Sequence, residues 1–526
     1  MISQKLRASW LIATIAASIS ACGGGGGAPP ANPGGGGGPV GGITGTGAFV
    51  SIGTISGFGS IIVNGVEYDT STATFTIDGD TDVSQDDLAV GDIVLVRGTI
   101  DDDNVSNGVA ESVEFDDNVE GPIEAGSISI DPLDRTAGTF VVLGQTVHFN
   151  FNTSFDDSIS PASIDGLSDG DIVEVSGMEH SDGGITATRI ELKTLQVGDL
   201  FEVTGIVAAP LTPGTSFMIN SLVVDVATRS ATFDNFPGGR DIAVGDLVEV
   251  KGEQILGTND ELIATRVEFK GDRLNGDDGD HMEIEGFITD LTDQQNFEVS
   301  HQAVVCDAGC TVTTEGVAGG TLALNVKVEV KGQLENGVVV ATSVDIRLGN
   351  AVRVTALMEE PVNVDGDGNA VSVVLLGITF DVDNRTRFED KDGSAPIEIF
   401  NIKDLAMGDY LEVRGQEDGS GGVFAVLVER DDPDTETILQ GFVEPGGANK
   451  PMLDVLGVRV VTDGFTVFEN DDGSIITNPD DPDFGFWPRV GDGSLIKAKG
   501  QSATVTGSLA LPPVTFIAEE VQIQVE

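Results

Sequence analysis

Apolar and polar residues alternate through most of this chain, in short runs that a Gly-Asp pair interrupts at regular intervals. In Asp246-Leu247-Val248-Glu249-Val250-Lys251-Gly252, the two valines share one face and Glu249 and Lys251 share the other. That period of two predicts a strand with one buried side. The full pattern is Leu-x-x-Gly-Asp-x-Val-x-Val-x-Gly. Clear copies occupy 88–98, 167–177, 242–252 and 405–415, and degenerate ones 322–332 and 490–500. A large side chain before the turn can plug the end of a small barrel. The glycine admits a positive φ, the aspartate can accept a bond from the turn backbone, and the closing glycine permits a bulge. These carboxylates are therefore expected to form turns and not to act as catalytic acids.

Aligned on the closing glycine, the copies follow one another at 79, 75, 80, 83 and 85 residues, the signature of a repeated module with loop insertions. Other landmarks keep step. A Gly-x-[Ile/Val] start appears as Gly53-Thr54-Ile55, Gly121-Pro122-Ile123, Gly205-Ile206-Val207, Gly286-Phe287-Ile288 and Gly441-Phe442-Val443, with Thr355-Ala356-Leu357 in the fifth copy. Each copy ends in Ala-x-x-[Val/Ile], beginning at Ala110, Ala187, Ala264, Ala341, Ala425 and Ala518. The modules are placed at 48–117, 118–196, 197–275, 276–349, 350–433 and 434–526. Each should hold five or six strands and no helix. The expected fold is all-β, a tandem array of six small OB-like barrels or short sandwiches.

These landmarks resemble the bacterial domain of unknown function 5666, found in tandem on exported lipoproteins. The likeness is plainest in the first copy, Gly53-Thr54-Ile55-Ser56-Gly57-Phe58-Gly59-Ser60-Ile61-Ile62-Val63-Asn64-Gly65-Val66. It weakens in the fourth, where Asn325-Val326 replaces Gly-Asp, and in the sixth, where Ser494 and Lys497 interrupt the apolar face. The resemblance implies an all-β array and brings no activity with it.

Residues 1–21 read as an export signal, with Lys5 and Arg7 before an apolar stretch too short to span a bilayer. It closes on Ile19-Ser20-Ala21-Cys22, which resembles a bacterial lipobox. That resemblance implies acylation at Cys22 and a membrane anchor, since several chains, at about 0.8 kcal/mol per buried methylene, hold where one does not. Gly23 follows, in place of the aspartate that retains such proteins at the inner membrane, so the outer membrane is implied. Residues 22–47, rich in Gly and Pro, read as a tether.

The chain carries 27 basic and 86 acidic side chains, a formal charge of -59, which excludes nucleic acid as a partner. A surface glycan or a protein ligand stays open. Apart from Cys22 the cysteines are Cys306 and Cys310, which flank a glycine turn and suit a hairpin-end disulfide in an oxidising compartment. The four histidines (His148, His180, His281 and His301) show no ligand spacing. No phosphate loop, nucleophile elbow or dinucleotide fingerprint occurs. Asn363, Asp365, Asp367 and Asn369 alternate around a glycine like the first half of a calcium loop, but Val374 stands where a bidentate glutamate belongs. No cofactor is implied beyond that candidate calcium. Trp487 could stack on a sugar or fill a core. The expectation is a non-catalytic, lipid-anchored envelope protein used for binding, adhesion or spacing. The alternative is an envelope hydrolase with a carboxylate site the pattern does not reveal.

Overall fold

The computed structural model describes residues 48–524, apart from 59, 102–105, 132–135, 151, 195–199, 255–260, 272–275, 315–316, 348–351, 365–369, 392–396, 398–399, 418–421, 471–473 and 502–513. Module 1 shows how the alternating pattern closes on itself. Strand β1 (Phe49–Gly57) pairs with β2 (Ile61–Val63), and β2 with β3 (Val66–Asp69). After β4 (Thr74–Ile77) the chain forms β5 (Ile93–Ile100) and β6 (Asn107–Phe115). β3 lies parallel to β6, β6 pairs with β5, and β5 returns to β1. The circuit is a closed five-stranded, OB-like barrel. β4 continues along β6 beyond a kink. The inward positions Ile55, Ile61, Val63, Tyr68, Val94, Val96, Ala110 and Val113 fill it.

The landmarks prove to be parts of one device. At the signature turn Gly91, Gly170, Gly245 and Gly408 have φ between 86 and 101°, and Asn325 takes the same place in module 4 at φ 61°. The aspartates cap this turn. The N–H groups of Ala89, Ser168, Ala243 and Ala406 donate to Asp92, Asp171, Asp246 and Asp409 at 2.7–2.8 Å. In module 6 the Ser494 hydroxyl does the same for Gly491, at 3.0 Å. Neither Ser494 nor Lys497 interrupts the apolar face there, because Ile496 and Ala498 carry it and both are fully buried.

The closing glycine sits at a β-bulge opposite the alanine of the terminal motif, pairing Gly98 with Ala110, Gly177 with Ala187, Gly252 with Ala264, Gly332 with Ala341 and Gly415 with Ala425. In all six modules a Cβ on that glycine would lie 2.0–2.5 Å from a carbonyl oxygen of the facing strand. The glycine of the starting motif is equally confined, with the β2–β3 hairpin, or its equivalent, 2.1–2.9 Å from where its Cβ would be. Pairing with Leu411 puts Ala356 at this place in module 5, one residue later than the sequence alignment has its glycine counterpart. There, among the described residues, no ladder joins Val352–Leu357 to Ala370–Leu375, and in module 2, which keeps Gly121, a single bridge between Ile123 and Val142 takes the ladder's place.

The modules are not independent beads. The second half of β1 reaches β2, whereas residues 49–52 have β5 on one side and an open edge on the other. Unpaired backbone groups along such an edge need a partner. The first strands of other modules supply it. Residues 49–52 run parallel to 281–284, 119–120 lie antiparallel to 202–203, and 353–355 lie antiparallel to 438–440. Module 1 thus joins module 4, module 2 joins 3, and module 5 joins 6, in three sheets of 13, 13 and 14 strands. Apolar cores run continuously through the 2–3 and the 5–6 pairs. Gly45–Glu526 form one compact unit.

Two local expectations change. Cys306 and Cys310 are bonded, but not at a hairpin end. The flanking strands Gln302–Val305 and Thr311–Thr314 both lie parallel to Val338–Arg347, so the bond spans the kink between two segments of one edge. Helix is not wholly absent either. Short 3-10 turns precede several signatures, and Phe486–Arg489 forms one α-turn that packs Phe486 and Trp487 against Phe468. Trp487 is a core contact.

Replacing Gly98 by alanine should cost about 1–3 kcal/mol, because backbone must move to admit the methyl. Gly464→Ala, where nothing lies within 4 Å, should change little. Urea titration of both variants checks this, and equal midpoints would refute it.

Candidate functional site

Because module 1 reaches across to module 4, four barrels surround a common space. A cavity of about 650 Å³ lies among modules 1, 2, 4 and 5. That is the size of a small-ligand pocket. Module 4 contributes outward positions of its strands, which alternate with core valines such as Val328 and Val330. Module 5 contributes the segment between Ile378–Asp381 and Arg387–Asp390, the counterpart of the β3–β4 kink. This segment is held rigidly. The Arg385 N–H donates to Asp383 at 2.7 Å, and the Thr386 hydroxyl donates to the Ala425 carbonyl at 2.7 Å.

The walls carry charge of both signs. Glu285 pairs with Lys327 at 2.8 Å, and Glu329 with Lys331 at 3.0 Å, with Arg385 at 3.5 Å and with Arg347. Burial alone would raise both carboxyls, but these cations hold them below the usual range. Arg387 differs. It is 6% exposed, and its guanidinium donates to the Asn152 carbonyl and, at 3.4 Å, to that of Thr188. Among the described residues no carboxylate pairs with it. Burial lowers its pKa, yet an arginine stays charged at any physiological pH. In a chain with only 27 basic residues, four of them (Lys327, Arg347, Arg385 and Arg387) line this cavity.

The residues singled out from sequence do not meet here. Cys22, Asp365, Asp367 and Asn369 lie outside the described residues. Asn363 is exposed, and its amide donates to the Ser372 hydroxyl at 2.8 Å. His281 lies in the ladder between modules 1 and 4, and the other three histidines gather where modules 2 and 4 meet. His148 stacks on His180, His180 meets the ring of Phe287 edge-on at 4.7 Å, and His301 Nε2 lies 2.8 Å from Glu179. The cavity residues carried no sequence signal, because they come from modules far apart in the chain.

Five segments match the profile of one protein family, described as a domain of unknown function (DUF5666): 51–114, 120–191, 204–268, 285–345 and 363–429. Together they cover more than half of the chain. The chain belongs to the DUF5666 family. No curated protein matches it. Each DUF5666 segment begins within or beyond the first strand of its barrel and ends in the last, so the family unit is the barrel itself.

A second charged junction joins the DUF5666 barrels of modules 1, 2 and 3. Glu191, Glu174, Glu120 and Glu202 stand directly opposite one another across four neighbouring strands. Like charges in that register repel. Asp78 and Asp117, from module 1 and the link after it, complete a group with Glu174 whose carboxylate oxygens lie within 4.8 Å of one another. Lys193 bonds Glu174 at 2.6 Å, Lys251 bonds Glu202 at 2.6 Å, and Lys270 bonds Asp116 at 2.9 Å and Glu249 at 2.7 Å. Burial, then neighbouring carboxylates, push Glu174 up to about 8 and Glu202 up to about 9, and raise Asp117 well above the ordinary aspartate value.

These carboxyls keep protons in the folded protein at pH values where the unfolded chain has lost them. Their contribution is complete below about pH 4, where both states are protonated, and is lost as pH rises to 9. In the absence of divalent ions, unfolding free energy should therefore fall between pH 6 and 9. The slope is about 1.4 kcal/mol per pH unit for each extra proton held by the folded state. Glu202→Gln should flatten the profile. Denaturant melts across that range test this, and stability rising toward pH 9 would contradict it.

Proposed function

We propose that this chain is a non-catalytic, lipid-anchored protein of the outer membrane that binds a small acidic, hydroxyl-rich ligand, a glycan fragment, in the cavity among modules 1, 2, 4 and 5. The observation that carries this reading is Arg387, a buried guanidinium on the cavity wall with carbonyl partners and no paired carboxylate. Glu389, Glu285 and Glu429 act on this guanidinium through space without pairing with it, and a ligand carboxylate would give it a direct, bidentate partner. Asn64, Asn150 and Thr54, also on the wall, offer hydrogen bonds to hydroxyls. The two wall glutamates favour binding over hydrolysis. A glycosidase needs one carboxyl with a raised pKa as its acid, and both Glu285 and Glu329 are held low. Four cations face four carboxylates (Glu285, Glu329, Asp345 and Asp383) on its walls, so in a strongly acidic chain the cavity is charge-balanced.

An array of neutral and uronic-acid oligosaccharides provides the test. Acidic members should bind, and Arg387→Gln should weaken them at least about tenfold, the loss expected for one charge-assisted contact. Equal affinity in the variant, or hydrolysis of any member, would overturn the proposal. For the anchor, Cys22→Ala should abolish labelling by a palmitate analogue, and persistent labelling would remove the lipid from this reading.

A further inference from the structure

The junction of modules 1, 2 and 3 has the donor set and the charge of a metal site. Two oxygens that each lie about 2.4 Å from one calcium ion can be no more than about 4.8 Å apart. The oxygens of Asp78, Asp117 and Glu174 meet that limit pairwise. Asp117 supplies the independent observation. It is 1% exposed, and neither of its carboxylate oxygens has a hydrogen-bond partner. Buried polar atoms left in that condition are rare and costly. The leading charges on it come from Glu202, Asp78, Glu174 and Glu120, all of them acids.

The lysines of the junction are already committed. One oxygen of Glu174 faces Lys193. Lys251 is divided among Glu202, Glu249 and the main-chain carbonyl of Asp78, at 2.6, 3.6 and 2.9 Å. Lys270 spans Asp116 and Glu249. Arg266, at the end of the same row of residues, pairs with Asp234 and Glu268. Among the described residues these three lysines stand among seven carboxylates: Asp78, Asp116, Asp117, Glu174, Glu191, Glu202 and Glu249. The backbone also prearranges the group, since the Asp117 N–H donates to Asp78 Oδ1 at 3.2 Å.

We propose that Asp78, Asp117 and Glu174 bind one divalent cation, calcium by its preference for a set made only of oxygens, and that the ion clamps module 1 onto module 2. A hard dication suits three carboxylates, with water completing its shell. The ion would relieve the repulsion along the glutamate row. It would also satisfy the Asp117 oxygens that protein groups leave bare.

The test uses the full chain, stripped with chelator at pH 8, with calcium added alone and followed by titration calorimetry and thermal melting. The wild type should show saturable binding, and Tm should rise by about 3 °C or more at millimolar calcium. Asp117→Asn should fold in chelator, since the amide keeps the shape of the carboxyl, and should lose the calcium shift, since it cannot become an anionic ligand. The double variant Asp365→Asn/Asp367→Asn should keep the shift, which separates this site from the loop at 363–369. No heat and no Tm change with calcium, magnesium or manganese up to about 10 mM would overturn the proposal. So would an unchanged calcium shift in Asp117→Asn, or a shift lost in the double variant alone.

Discussion

Every level of this protein depends on half a strand. In a five-stranded barrel of this kind the first strand serves two neighbours at its end but only one at its beginning, and the remaining edge exposes backbone donors and acceptors. A lone module would have to hydrate that edge or lose solubility through it. Pairing first strand to first strand satisfies it, and six barrels become three double barrels. The pairing of modules 2 and 3 joins sequence neighbours through two residues a side. The pairing of modules 1 and 4 uses four residues a side and reverses the sense of the contact to parallel. That pairing skips modules 2 and 3 along the chain, and the large cavity lies where modules 1, 2, 4 and 5 meet.

The repeat secures the barrel by steric means. Its closing glycine and terminal alanine are cross-strand partners at a bulge where no side chain larger than hydrogen fits. The bulge bends the strand sharply enough for a small sheet to close. The matching seam on the first strand is less uniform, since it lacks a ladder in module 5, at Ala356, and narrows to a single bridge in module 2, at Gly121.

Barrel exteriors become interfaces here, and interfaces built from strands that alternate charge with core residues bury charge. The outcome differs by place. Around the large cavity, cations compensate and hold Glu285 and Glu329 ionised. At the 1–2–3 junction, acids outnumber their partners, and burial holds protons on them. The same outward-facing positions thus produce opposite electrostatics, according to which module lies opposite. A net charge of -59 makes the compensated cavity the unusual case.

Sequence alone determined the all-β class, the module length, the turn role of Gly-Asp and the bend at the closing glycine. All of these are local. A period of two, a positive φ and a repeat spacing are properties of contiguous residues. Asn325 and Ser494 looked like losses from the signature, yet each performs its turn function with other chemistry, which the local pattern did not show. Only the tertiary structure decided which barrels touch. Nothing in residues 49–52 names 281–284 as partner, because backbone hydrogen bonds carry no side-chain code. The surroundings of Arg387 and Asp117 follow from that choice. They are set by residues hundreds of positions or a whole module away, and a single line of sequence holds no record of those distances.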